Sequence, residues 1–143
     1  MSSDTDALSA LIARLEKAEG PSRELDAEIA LAAGWTRIED ICGDGTRLGW
    51  IWTAPIKHGV GALLPRFSAS LDAALTLVPE GWTRAVDATA PECGIKVDLF
   101  DETDVCEPVS GDHKSEPIAT VIAALKARLA LLRTAASPAA SEG

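Results

Sequence analysis

The sequence predicts an α+β domain: a four-stranded antiparallel sheet made from two β-hairpins and covered by about four helices. Three observations carry that prediction. Apolar residues recur at helical spacing in separate stretches near both ends and in the middle of the chain. The period then changes to two on either side of a glycine-rich turn at 43–45 and again over residues 93–100. Finally, the order Leu-Asp-Ala, apolar run, Gly-Trp-Thr-Arg occurs twice, from Leu25 to Arg37 and from Leu71 to Arg84, with one residue fewer before the first glycine. Two helix-to-hairpin units are the architecture this implies.

Composition bounds the partners. At 143 residues and 47% hydrophobic content the chain fits one domain with a substantial core, over residues 1–134, followed by a flexible tail at 135–143. A formal charge of −9 argues against non-specific binding to nucleic acid or anionic lipid, which needs clustered Lys and Arg, and favours a cationic partner surface. Three cysteines without a CxxC pair imply reduced thiols, and the acidic start and lack of a long apolar run predict a soluble, cytoplasmic protein.

Residues 4–17 form the first expected helix, with Leu8, Leu11, Ile12 and Leu15 on one face, stopped by Gly20-Pro21. Ser22 caps a second helix whose first-turn acids, Glu24 and Asp26, suit the positive end of the helix dipole; Leu25, Ile29 and Ala33 face the core. Gly34 suits a left-handed position just past its end. Segments 35–41 and 47–53 then pair around Gly43-Asp44-Gly45, with Leu48, Trp50 and Trp52 alternating onto one face. The connection 54–66 reads as irregular. Its Gly59-Val60-Gly61 lacks the features of a phosphate-binding loop.

A central helix follows, capped by Ser70, facing the core with Leu71, Ala74, Leu75 and Val78, and closed by Pro79-Glu80-Gly81. The second hairpin pairs 82–87 with 93–100, Ile95, Val97 and Leu99 inward and Lys96, Asp98 and Phe100 outward. Between residues 87 and 112 lie eight acids and one base. The last helix begins at Ser115-Glu116-Pro117 and carries an apolar stripe of Ile118, Val121, Ile122, Leu125, Leu129 and Leu132, with Lys126, Arg128 and Arg133 towards its negative end.

Three segments, 11–26, 67–82 and 123–128, resemble those of the phage ABA sandwich domain family, most specifically Phe67-Ser68-Ala69-Ser70-Leu71-Asp72-Ala73-Ala74-Leu75 running into Pro79-Glu80-Gly81-Trp82. The resemblance implies a single α/β/α sandwich and a phage or prophage origin. It transfers no catalytic residues.

No triad, metal motif or phosphate loop is readable, so no enzyme activity, metal or cofactor is expected. Asp101-Glu102-Thr103-Asp104 lacks the register of a calcium loop, and Cys93, Cys106 and His113 match no zinc spacing; whether those three meet in space is not decided by the sequence. The leading expectation is a non-catalytic anti-defence inhibitor that binds a basic surface of a host immune protein through Asp98, Asp101, Glu102, Asp104 and Asp112. The alternative is a sponge for a nucleotide-type signal, using Trp50 or Trp52 to stack a base and Lys57, His58 or Arg66 to meet phosphate. A phage structural component is a further alternative, and a dimer is among the assembly states left open.

Overall fold

The computed structural model describes residues 3–53, 60–62, 65–87, 94–103 and 106–136. Their order is α1 (Ser3–Lys17), α2 (Arg23–Ala32), β1 (Thr36–Ile41), β2 (Arg47–Thr53), β3 (Val60–Ala62), α3 (Leu71–Leu75), β4 (Trp82–Asp87), β5 (Ile95–Asp101), β6 (Val109–His113) and α4 (Glu116–Ala136). The chain is thus a mixed α+β structure, and no described helix is long and apolar enough to cross a membrane.

The strands form two antiparallel sheets of three, in orders β1-β2-β3 and β4-β5-β6, instead of the single four-stranded sheet expected from the sequence. The reason is that each hairpin gains a third strand. β3, inside the connection read as irregular, pairs with β2, and β6, between the second expected hairpin and the last helix where no strand was expected, pairs with β5.

α4 organises the core. Every residue from Ile118 to Leu125 is buried, as befits a helix that is apolar all round rather than striped, and α4 packs on β5, β6, α1 and α3. α1 contributes Leu8, Leu11, Ile12 and Leu15, the face its spacing predicts. β6 approaches α4 so closely that a Cβ added at Gly111 would lie 2.3 Å from the Ala119 carbonyl oxygen and 2.8 Å from the Ala123 amide nitrogen.

α2 ends as its sequence predicts. Gly34, at φ 98°, follows the C-cap Ala33, and the Trp35 amide donates to the Ala30 carbonyl at 2.9 Å while Gly34 donates to Leu31 at 3.3 Å. That pair of bonds is the Schellman arrangement, which needs a left-handed residue where glycine stands. At the second occurrence of the repeat Gly81 also has positive φ, 87°, but α3 is already over at Leu75. Bonds from Thr76 to Ala73, Leu77 to Ala74 and Val78 to Leu75 tighten the chain to a three-residue period. The tightening changes the buried face. Ala74 and Leu77 are buried, whereas Leu75, expected in the core, is exposed.

Both units therefore place a Ser-capped helix before a glycine of positive φ and a tryptophan that opens a three-stranded sheet. Trp82 is buried; Trp35 is half-buried and meets Phe67 edge-on, ring centroids 6.2 Å apart. The first sheet keeps Ile38 64% exposed, while α4 covers the inner face of β5 and β6 in the second and leaves Val86 of β4 40% exposed.

Candidate functional site

The register of the second sheet sorts its residues into two faces. Val97, Leu99 and Gly111 point to α4 and are buried. The opposite face presents three cross-strand rows: Thr83 beside Phe100; Ala85, Asp98 and Ser110; Asp87, Lys96 and Asp112. Thr83, Ala85, Asp87, Lys96, Phe100 and Asp112 are all exposed. Phe100, 41% exposed, stands next to the acidic rows, and at its end of the sheet Glu102 accepts a hydrogen bond from the Thr83 hydroxyl. An exposed aromatic side chain one row from Asp98 and two rows from Asp87 and Asp112, on a sheet backed by α4, is what remains of the expected acidic site.

Asp98, Glu102 and Asp112 lie on or beside this face, and Asp104 is outside the described residues. Asp101 is elsewhere. It continues the inward alternation of β5 and is 9% exposed. One of its carboxylate oxygens accepts from the Thr103 amide and hydroxyl, at 2.9 and 2.6 Å, and the other from the Cys106 amide at 2.9 Å. Its charge holds the turn after β5 together. A carboxylate so occupied is poorly placed to meet a partner.

Of the alternative nucleotide site, only Trp52 and Arg66 have described side chains. Trp52 is 7% exposed, with the Arg37 guanidinium 5.4 Å from its ring centroid, so its aromatic face is already covered. Arg66 is exposed, its backbone carbonyl accepting from Ala69 and Ser70 at the entry to α3. The Trp50 side chain, Lys57 and His58 lie outside the described residues.

Cys93 is likewise outside them, while Cys106 and His113 are held by different neighbours. Cys106 Sγ lies 3.7 Å from the Thr134 hydroxyl. The Ser115 amide donates to His113 Nδ1 at 2.9 Å, which leaves Nε2 to carry the ring proton and donate to the Ala18 carbonyl at 2.6 Å. His113 thereby ties the end of α1 to the start of α4. No three His, Cys, Asp or Glu side chains converge as a metal site among the described residues.

One polar centre is absent from the expectations. Asp26, 1% exposed, accepts from the Ser68 amide and hydroxyl, both at 2.7 Å, and from Arg23 at 2.9 Å. Ser68 Oγ also accepts from the Ser22 amide at 3.0 Å. This network pins the start of α2 to the segment entering α3. The sequence signal for it is slight, since Asp26 reads equally well as a first-turn acid.

Comparison of the chain with protein-family models, with curated proteins and with solved structures yields no match.

Proposed function

We propose that the chain is a non-catalytic phage or prophage accessory protein, an anti-defence inhibitor that docks the open face of its second sheet on a basic surface of a host bacterial immune protein. The observation that carries this reading is the exposed Phe100 on one face with Asp98, in the adjacent row, and with Asp87 and Asp112, which flank Lys96 one row further along, while Glu102 stands at the Phe100 end of the sheet. An aromatic anchor supplies apolar area and orientation, while surrounding acids steer the approach to a cationic groove and mimic the phosphates it would otherwise hold. α4 keeps the platform rigid, so little ordering entropy opposes binding.

The phage assignment rests on the family resemblance of residues 67–82, and the acidic balance of the chain supports a basic partner over nucleic acid. The test is affinity capture from phage-infected bacteria with the native chain and with a variant carrying Asp98→Asn, Phe100→Ala and Asp112→Asn. The native chain is expected to retain a nucleic-acid-binding host protein that elutes as salt rises, and the folded variant to lose it. Equal retention by both would remove the face from the mechanism.

A further inference from the structure

Three exposed leucines belong together. Leu31 at the end of α2 and Leu131 and Leu132 near the end of α4 line one groove, formed by two adjoining hollows of about 530 and 380 Å3 that share Leu8, Ala32, Gly34 and Leu132. Its floor is closed by the buried Leu8 and Leu11 of α1. The groove lies on helices, away from the acidic sheet face.

Its charged lining is sparse and polarised. Glu28 is committed to an ion pair with Arg14. Arg128 borders the other hollow, and its Nε donates to the Leu77 carbonyl at 3.1 Å, which pins the guanidinium without neutralising it. Among the described residues no carboxylate pairs with Arg128, in a chain that carries 22 acids against 13 bases. Burial lowers its pKa from the ordinary arginine value. An arriving anion would offset that desolvation and supply the carboxylate that the guanidinium lacks among the described residues.

We propose that this groove binds a single-chain amphiphile with a carboxylate head, its alkyl chain over Leu8, Leu31, Leu131 and Leu132 and its head on Arg128. The dimensions favour such a ligand over a partner helix. α4 contributes only residues 128, 131 and 132, little more than one turn, whereas a docked helix needs anchors repeated over about two turns. A second copy is disfavoured by charge, since each chain brings −9. A medium-length alkyl chain with one negative end matches an apolar trough with one positive end.

Calorimetric titration of the full chain with decanoate, hexanoate and decyltrimethylammonium tests the assignment. Decanoate should bind once per chain, about tenfold or more tighter than either control, because removing the chain or reversing the head loses one half of the recognition. Arg128→Gln should remove the preference for the anionic head, Arg128→Lys should keep it in part, and Ala32→Leu, which fills the trough but leaves Arg128, should weaken decanoate binding by a similar factor. Equal affinity for both head groups, or a preference unchanged in Arg128→Gln, would overturn the proposal. So would decanoate binding that appears only after residues 137–143 are removed, which would make that segment the occupant. A dimer of the full chain that Leu132→Glu dissolves would make the groove an interface between copies, and would overturn it equally.

Discussion

At Gly111 the backbones of β6 and α4 meet with no room for a side chain, and Gly111→Ala should therefore be among the most damaging single-methyl changes in the protein. The added Cβ would lie 2.3 Å from the Ala119 carbonyl oxygen, 2.8 Å from the Ala123 nitrogen and 2.9 Å from Ile122 Cβ. Two of those three atoms are backbone of the Ile118–Leu125 stretch of α4, buried throughout, so no rotamer change relieves the contact, and β6 or α4 must retreat by well over half an ångström. Retreat would loosen Val97, Leu99 and the Ile118–Leu125 segment, all buried in the same layer. Overpacking in cores costs about 1–3 kcal/mol. A clash against two backbone atoms places this one at the top of that range or above, about 3 kcal/mol or more, which for a chain of this size lowers Tm by roughly 10 °C. Urea unfolding and thermal melts measure both quantities. Gly43→Ala is the matched control, since nothing lies within 4 Å of its added Cβ; it should stay within about 0.5 kcal/mol of the native protein. A Gly111→Ala protein that melts within a couple of degrees of the Gly43→Ala control would show that β6 and α4 are not packed as described.

Two further predictions follow from single carboxylates. Asp26→Ala strands the buried Ser68 amide, while the Ser68 hydroxyl keeps the Ser22 carbonyl as its acceptor at 3.1 Å, and should cost about 2–3 kcal/mol in urea unfolding, against about 1 kcal/mol for loss of the cap in Ser22→Ala; equal costs would refute the network as the source. Asp44, in the turn between β1 and β2, has its pKa lowered by the hydrogen bond from the Thr46 amide. A depressed carboxyl contributes stability above its unfolded-state pKa and loses it as pH falls through the folded value, so the turn should loosen only under acid conditions. A side-chain NMR titration should place Asp44 below an ordinary aspartate, and Thr46→Pro, which removes the donor, should return it upward.

Where the chain speaks in periodic apolar residues it was legible. Leu8, Leu11 and Leu15, the glycine after α2, and the alternation of β5 are each repeated signals for one physical need. β6 was not legible because its inward position is Gly111 and its neighbours are polar; the glycine that lets α4 approach looks, letter by letter, like a turn. β3 has three residues, too few for a period. α3 shifted its face because the chain tightened before Pro79, a change that spacing alone does not foretell. Asp101 was grouped with the surface acids although the alternation of Ile95, Val97 and Leu99, carried two residues on, places it inward. That signal was present. The acidic face was readable as composition, but the rows that set Asp87 beside Lys96 and Asp112 exist only once β6 is recognised.

The helix that follows each sheet explains why the two related units differ in what they present. α3 has five residues and packs on α4 rather than along the first sheet, which buries Trp52 and keeps Ile38 and Ile41 exposed. α4 has 21 residues and lies along β5 and β6, with Gly111 removing the last obstacle to contact. Ser110 and Asp112, on the strand so clamped, point the other way and form part of the acidic face. The steric fit that stabilises the core thus also fixes the spacing of the charges outside it. If the proposed face docks a basic partner, a Gly111→Ala protein that remains folded should bind it less well although no residue of that face has changed, and conservative exchanges on the first sheet, such as Ile38→Val, should leave that binding unaltered.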